Sequence, residues 1–253
     1  MSSSKLILLL VAFVLPLQAL LAQEEFRFKE TVQTSGMKRG KVVLEMPAGV
    51  MNIKAQRNAL AEANILYGRA DWKPQSTQTT YNQTTELRLK QPEIRNNSKK
   101  TEKNTWDINL SKNTPLDLVV EFGAGESKVD LRNSKVEKVT MSAGAGSINL
   151  DLRNSQLKDL KISSGVGEVE LDLRGNWDHD VQVDVSGGIG DVKLQLPKNT
   201  GVRLRSSGLG SVSAGGLKKE GNNYSNQALG KSKHTITINV SNGLGSVSAT
   251  QED

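Results

Sequence analysis

Histidine, cysteine and paired carboxylates are the side chains most often used for catalysis, and this chain offers few of them in a usable arrangement. Its 253 residues include two histidines, His179 and His234, and no cysteine. A zinc site or a nucleophile–histidine pair would depend on one of these isolated histidines. Glycoside hydrolysis needs one defined carboxyl pair, whereas the acidic residues are scattered without a distinguishable pair. We therefore predict no catalytic, cofactor-binding or metal-ligating residue, and a protein that is not an enzyme.

A Gly-x-Gly element recurs through the second half of the chain and invites two ligand-binding interpretations. Its first glycines are Gly123, Gly144, Gly165, Gly188, Gly208 and Gly243. A phosphate-binding loop requires a following helix, whereas a strand-like pattern follows each element here. A calcium-binding β-roll requires a regular carboxylate ladder, but Asp191 stands one position early and neighbouring copies carry Glu168 or Ser211. We interpret the element as a structural corner, with calcium binding as the alternative.

These glycines belong to a longer internal repeat. Residues 125–145 (GESKVDLRNSKVEKVTMSAGA) align without a gap to residues 146–166 (GSINLDLRNSQLKDLKISSGV), with eight of 21 positions identical. Residues 167–189 form a third copy with a two-residue insertion near Trp177, and residues 190–209 form a fourth. The motif returns as SSGLGSVSA at 206–214 and SNGLGSVSA at 241–249. Self-similarity at a fixed period indicates stacked repeats.

Alternation of apolar and polar residues within each copy predicts strands with one buried face. The segment RNS at 132–134 and 153–155 predicts a turn between two strands, and Gly-x-Gly predicts the turn into the next copy. Stacking then aligns Val129, Leu150, Leu171 and Leu194 inside. Asp130, Asp151 and Asp172 form an outer column beside Arg132, Arg153 and Arg174, which we interpret as structural. The predicted fold is all-β, a single-stranded β-solenoid with coils of about 21 residues.

The beginning of the chain has the pattern of a secretory signal peptide. Lys5 precedes an apolar run from Leu6 to Leu17, and the small residue Ala22 precedes a polar stretch. The run is short for a spanning helix, and no second apolar run follows, so we expect no transmembrane segment after removal of residues 1–22. A signal anchor is the alternative. We expect an exported protein, periplasmic or at the cell surface, and no nucleic-acid partner.

Residues 23–114 predict an irregular β module ahead of the repeat at 115–253. Short strand patterns such as EFRFKETV, KVVLEMP and TTELRLK alternate with polar stretches, while ALAEANIL is ambiguous between strand and helix. PAGVMNIKA at 47–55 looks like a degenerate copy of the later glycine element. This module is expected to start the stack or to cap it, because terminal repeats are atypical.

Three segments break the pattern and are candidates for binding. Residues 86–104 hold six cations and three anions, which indicates a solvated loop or a patch for anionic envelope polymers. Trp177 and residues 215–234, which include Tyr224, lie at insertions in the repeat, where solenoids place binding loops. For both aromatic residues edge packing is the favoured interpretation, and a place in a binding loop is the alternative.

The chain resembles the bacterial toast-rack family and related adhesin-like and antibiotic-response regulator domains. The resemblance rests on PLDLVVEFGAGESKVDLRN at 115–133, the GAG and GVG turns at 144–146 and 165–167, and KVVLEMPAGVMNIKA with ANILYGRADWKPQ in the first half. It covers nearly the whole chain after the signal peptide. It implies an extracytoplasmic β-solenoid without an established catalytic mechanism, and it assigns no active-site residue. Unlike the antibiotic-response regulators, this chain has no membrane helices ahead of the repeat.

The function expected from these features is a non-enzymatic binding or structural module of a bacterial cell envelope, adhesin-like or related to envelope stress, whose partner is a protein or an envelope polymer. The alternative is a carbohydrate-active β-helix enzyme that acts on polysaccharide, with the insertion at Trp177 as a groove wall. A third hypothesis is a homo-oligomeric adhesin that stacks through exposed terminal coils.

Overall fold

The structure is a computed structural model that describes residues 25–93 and 102–252. The predicted signal peptide and part of the basic segment lie outside these residues. Fifteen strands form the described part of the chain, with one short 3-10 turn at Ala70–Trp72. The strands are β1 Phe26–Val32, β2 Arg39–Arg57, β3 Ala61–Tyr67, β4 Gln75–Tyr81, β5 Thr84–Lys90, β6 Asn104–Ser111, β7 Leu116–Asp130, β8 Val136–Asp151, β9 Asp159–Asp172, β10 Val181–Ile189, β11 Val192–Pro197, β12 Gly201–Ala214, β13 Lys218–Glu220, β14 Asn223–Ser225 and β15 Thr235–Glu252. The predicted all-β class is confirmed.

Long parallel strands form the centre of the sheet, in the order β2-β7-β8-β9. Gly125 pairs with Gly146 and Gly146 pairs with Gly167, so equivalent positions of successive copies are direct neighbours. Hydrogen-bonded neighbours on β8 and β9, such as Asn149 and Glu170, are 21 residues apart. The repeat length in the sequence therefore equals the number of residues that separate paired positions on these neighbouring parallel strands.

Apolar residues at equivalent positions fill the interior. Val129 pairs with Leu150, Leu150 with Leu171, and Leu171 with Leu194, and all four side chains are buried. This alignment is the predicted one. It follows from the period-two pattern, because a shift by one residue would turn every apolar side chain towards solvent.

The polar turns are also confirmed. Asn133 and Asn154 have positive φ values of 52° and 54°, a left-handed conformation that asparagine tolerates better than most residues. Ser134 Oγ donates to the carbonyl of Leu131 at 2.7 Å and closes the first of these turns. The RNS segments thus join consecutive long strands.

The glycine elements differ from the prediction. Five of the six lie within a single long strand, one each in β7, β8, β9, β12 and β15, and strand pairing continues through the first of them at Ala124–Ala145. The sixth, Gly188–Gly190, lies at the break between β10 and β11. In β7 the buried side chains stand at even residue numbers up to Phe122 and at odd numbers from Ser127. This change shows that the strand bends at the glycine element without ending there. Glycine permits the bend while the neighbouring backbones stay hydrogen-bonded.

The C-terminal part contains a second departure from expectation. Stacked copies were expected in sequence order, but β15, near the chain end, lies between β10 and β11 on one side and β12 on the other. Ile236, Ile238 and Val247 of β15 are almost fully buried by this arrangement. The more apolar final strand occupies the interior of the stack, and β12 forms its edge.

The N-terminal strands both start and cap the stack. Ala48 and Gly49 of β2 pair with Ala124 and Gly125, which confirms PAGVMNIKA as a copy of the glycine element. The second half of β2 pairs with β6, β6 pairs with β3, and β3 pairs with β1. The first half of β2 pairs with β5, and β5 pairs with β4. The ambiguous segment ALAEANIL contributes to β3, a strand. β4 was not predicted, because its residues are polar and fully exposed.

No helix within residues 25–93 and 102–252 has the length and hydrophobicity to cross a membrane.

Candidate binding surface

The residue between the two glycines of each element is exposed, and these residues align across the stack. Val166 pairs with Ile189, Ile189 with Leu244, and Leu244 with Leu209. Their exposed fractions are 51%, 54%, 52% and 74% respectively. We call Val166, Ile189, Leu244 and Leu209 the apolar ridge; Ala145 and Ala124 continue its line towards β2 with smaller side chains.

The apolar ridge stands clear of its surroundings because glycines flank it on both sides. Beyond them, one side carries an exposed row of serines, among them Ser163, Ser186, Ser241 and Ser207. Monomeric proteins rarely expose contiguous apolar patches beyond a few hundred Å², and such patches are often functional. Four adjacent half-exposed aliphatic side chains make this the main apolar surface among the described residues.

A groove of 730 Å³ runs beside the first glycine of four of the elements, Gly123, Gly144, Gly165 and Gly188. Its floor is formed by small residues of successive strands, and Lys90 and Glu93 lie on its wall. Lining residues on the floor include Ser142, Ala143, Gly144, Ser163, Gly165 and Gly188. The groove runs across the strands, as the ridge does, so the two together suit an extended partner lying across the stack.

The predicted column of charges is confirmed and consists of paired ions. Arg132 bonds Asp130 at 2.6 Å and approaches Asp151 at 3.3 Å, and Arg153 bonds Asp151 at 2.7 Å and approaches Asp172 at 3.3 Å. Each arginine therefore joins the aspartates of two neighbouring strands. The hydrogen bond from Arg132 is the main cause that lowers the pKa of Asp130.

Asp172 lies at the most buried point of this column. Burial acts to raise its pKa, but hydrogen bonds from the guanidinium and backbone N–H of Arg174 outweigh burial and lower it. A general acid in glycoside hydrolysis needs a raised pKa. The ionised, paired carboxylates of this column are suited to structure and not to proton donation.

The two histidines contact only nearby structural groups. His179 Nδ1 lies 2.7 Å from Asp178, and its Nε2 lies 2.6 Å from the carbonyl oxygen of Leu157. His234 Nδ1 lies 3.6 Å from Asp180. Within the described ranges, no group of three or more His, Asp or Glu side chains is placed to hold a metal ion.

Trp177 and Tyr224 pack inside the protein, so neither is an exposed platform for a ligand. Trp177 is 6% exposed and donates its indole N–H to the carbonyl of Leu173 at 2.8 Å. Tyr224 is 5% exposed, and Lys219 lies over its ring. Their burial agrees with edge packing, and the buried Trp177 offers no exposed aromatic face for the groove wall of the alternative carbohydrate enzyme.

Asp191 has a structural role. Its Oδ1 accepts hydrogen bonds from the backbone N–H of Ser246 at 2.9 Å and from the Ser246 hydroxyl at 2.6 Å, and these bonds lower its pKa. The carboxylate joins β15 to the chain segment between β10 and β11. It helps to hold β15 in its unexpected position inside the stack, and it is not part of a carboxylate ladder.

The described part of the basic segment is balanced by acidic partners. Arg88 and Lys90 both form ion pairs with Glu45, and Lys103 pairs with Glu25. Residues 94–101, which hold the other three cations, lie outside the described residues. The described cations of this segment therefore form ion pairs within the N-terminal part of the chain.

The insertion at 215–234 anchors the edge of the stack. β14 pairs with Arg203–Arg205 of β12, and β13 pairs with β14. The buried Asn226 donates to the carbonyls of Pro197 and Thr200 and accepts from the backbone N–H of Val202. Backbone hydrogen bonds from this insertion reach residues 202–206 of β12, and Lys219, Asn222 and Tyr224 line a cavity beside residues 206–212.

The signal for the apolar ridge was present in the sequence. The middle residue of the glycine elements reads Ala, Ala, Val, Ile, Leu and Leu, although exposed turns usually carry polar residues. The two glycines dominate the pattern of each element, so the sequence alone predicts no separate role for the residue between them. The ridge and the groove beside it are the surfaces that it missed.

Solved structures of other proteins are similar to this chain to different degrees. A crystal structure of a putative cell adhesion protein from Clostridium sporogenes ATCC 15579 is 29% identical, with a TM-score of 0.70, covering 90% of this chain and 100% of that chain. A putative adhesin from Bacteroides fragilis NCTC 9343 is 11% identical, with a TM-score of 0.40, covering 90% of this chain and 98% of that chain. No curated protein sequence matches the chain.

The family model for the N-terminal domain of toast_rack, DUF2154, matches residues 21–156 and 141–195. These two matches include the N-terminal strands and the first four Gly-x-Gly elements. Because they cover more than half of its length, the chain belongs to the toast-rack family.

Proposed function

We propose that this protein is an exported, non-enzymatic binding and structural module of a bacterial cell envelope, adhesin-like in its role. The observation that carries the proposal is the apolar ridge, in which four aliphatic side chains stand exposed on neighbouring strands. The partner is an extended protein segment or an envelope polymer that lies across the strands. The Clostridium sporogenes relative, described as a putative cell adhesion protein, supports the same class of function.

Rigid architecture suits this role. We propose that residues 115–253 form a single-stranded β-solenoid with coils of about 21 residues, that residues 23–114 form a β module that starts and caps it, and that residues 1–22 are a removed signal peptide. The ladder steps of 21 residues and the capping strands β1, β3 and β4 support this division. A stiff ladder holds the ridge side chains in fixed positions, so binding does not have to order them.

A binding assay on isolated envelope fractions tests the proposal. Peptidoglycan, membrane vesicles and extracted envelope proteins are titrated separately with the chain from residue 23 onward. We expect saturable binding to one fraction. Replacing two ridge residues, as Ile189→Ser/Leu244→Ser, should weaken it about tenfold or more, because apolar contact area is lost.

Tyr81→Ser is the matched control. Tyr81 is 79% exposed and lies on β4, away from the ridge, so this variant should bind like the wild type. Equal binding by the ridge variant and the wild type would refute the ridge as the contact surface. Release of new reducing ends from a panel of envelope polysaccharides would refute the non-enzymatic role and favour the carbohydrate-active alternative.

A further inference from the structure

The edge strand β12 leaves the sheet open along most of its length. On one side it pairs with β15 from Gly201 to Ala214. On the other side β14 covers only Arg203–Arg205, and the backbone N–H of Ser206 bonds Asn222. Within the described ranges no strand pairs with residues 207–214 on that side. An open row of backbone donors and acceptors is a template for pairing with another strand.

Core positions on this edge are incompletely covered. Val212 and Ala214 point inward, in register with Val247 and Ala249. The two residues of β15 are buried to 3% and 2% exposure, whereas Val212 and Ala214 are only half-buried. One further strand beside β12 would cover these side chains as β12 covers those of β15.

The composition of the edge favours a copy of itself as that strand. Residues 206–217 (SSGLGSVSAGGL) contain no charged residue and no proline. Natural edge strands are normally protected from pairing by lysine, proline or inward-pointing charge. β12 carries none of these protections between residues 209 and 214; its register with β15 shifts just before them, between Gly208 and Leu209.

The other open edges of the described chain are less suited to self-pairing. β1 exposes Arg27 and Lys29, and β13 consists of Lys218, Lys219 and Glu220, so both carry the lysines and other charges that protect natural edge strands from pairing. β4 is uncharged, but all of its residues are exposed and it has no inward-facing apolar row to cover.

We propose that a second copy of this chain pairs with β12 in antiparallel fashion, about a two-fold axis at Val212. Residues directly opposite in an antiparallel pair lie on the same face of the sheet. This register puts Val212 opposite Val212 of the second copy, Ala214 opposite Gly210, and Ser211 opposite Ser213. Every inward residue then meets an inward residue.

Glycines also make room for this pairing. In the same register, Gly215 and Gly216 of the second copy come opposite Leu209 and Gly208, next to the β13–β14 hairpin. Because glycine has no side chain, this part of the second copy can pass the hairpin with the least steric hindrance. The strand pair is short compared with standard interfaces of about 1,200–2,000 Å², so a weak, concentration-dependent dimer is expected.

Disulfide trapping tests the register, and the absence of cysteine makes an introduced thiol unique. In the chain from residue 23 onward, Val212→Cys should give a covalent dimer under mild oxidation, because the two thiols face each other across the axis. Ala214→Cys is the matched control on the same strand, since its thiols would lie roughly four residues apart along the pair. Equal cross-linking of the two variants would overturn the proposed register.

Charge placement gives a second test. Ser211→Lys/Ser213→Lys puts like charges opposite each other twice, whereas Ser211→Lys/Ser213→Glu puts opposite charges there. Sedimentation equilibrium should show a dimer dissociation constant raised about tenfold or more in the first variant and retained in the second. Circular dichroism and urea unfolding show that both variants fold. A wild-type chain that stays monomeric at millimolar concentration, or that pairs only with a different protein, would overturn the proposal.

Discussion

A methyl group on Gly146 would overlap the carbonyl oxygen of Gly125, the residue directly opposite it in the parallel ladder. Gly146 has a φ of 132°, a conformation that residues with a side chain rarely adopt. Gly144, two residues earlier, has an ordinary φ, but a methyl group there would meet the carbonyl oxygen of Gly123. The bend therefore needs both glycines, one for conformation and close approach, the other for close approach alone.

Three alanine substitutions separate these effects. Gly146→Ala should lower the free energy of unfolding by about 3 kcal/mol or more, because strain and overlap act together. Gly144→Ala, with overlap alone, should cost roughly 2 kcal/mol. Gly36→Ala is the control for conformation alone and should cost about 1 kcal/mol, since Gly36 has a φ of 75° and open space around it. Urea unfolding measures all three; a cost at Gly36 equal to that at Gly146 would contradict the close-packing argument.

The charge column predicts a loss of stability in acid. The folded-state pKa of Asp172 is lowered, so its ion pairs contribute fully above the unfolded value of about 3.9 and are lost as pH falls below it. Asp172→Asn should reduce the free energy of unfolding at pH 7 by about 1 kcal/mol and should lose less stability than the wild type between pH 7 and pH 3. Urea titrations at both pH values measure the difference. An equal decrease in the free energy of unfolding between pH 7 and pH 3 in the two proteins would show that Asp172 is not a source of the acid sensitivity.

The inserted position of β15 predicts a local effect of its removal. Deleting residues 235–253 leaves β10, β11 and β12 without their common neighbour. Hydrogen exchange should then be fast throughout β12, which loses its long partner, and faster than in the wild type in β10 and β11, which keep β9 as a neighbour. β7 and β8, which do not pair with β15, should stay protected. Continued protection of β12 would mean that β15 is not needed where the structure places it.

The buried position of Trp177 predicts a structural effect without a binding effect. Trp177→Phe keeps most of the ring packing but removes the hydrogen bond to the carbonyl of Leu173. We expect a loss of about 1 kcal/mol in unfolding free energy and unchanged binding to the envelope fraction. A variant that folds normally but binds the envelope fraction less tightly would show that the insertion at Trp177 is a binding loop.

Sequence reasoning predicted the parts of the fold that repeat. Val129, Leu150 and Leu171 are aligned as expected, because the apolar alternation and the period together determine the register. The paired aspartate and arginine columns follow from the same period. β4 escaped prediction because Gln75–Tyr81 has no apolar face, and its pairing with β5 is the main evidence for it.

The spatial order of the last copies was not predictable from their sequences. SSGLGSVSA at 206–214 and SNGLGSVSA at 241–249 are nearly identical, so either could be the edge of the stack. The difference arises upstream, where Ile236 and Ile238 of β15 are buried between neighbours and Arg203 and Arg205 of β12 point to solvent. Burial of Trp177 and Tyr224 likewise depends on tertiary packing that spacing along the chain does not encode.

The most direct test of the proposed binding surface compares the ridge with the insertion in one titration. Ile189→Ser/Leu244→Ser changes the ridge, and Lys218→Ser/Lys219→Ser changes exposed residues of the 215–234 insertion. Binding to the responsive envelope fraction should weaken about tenfold or more in the ridge variant and stay at the wild-type level in the insertion variant. Full binding by the ridge variant together with loss in the insertion variant would contradict the account and place the function at the break in the repeat.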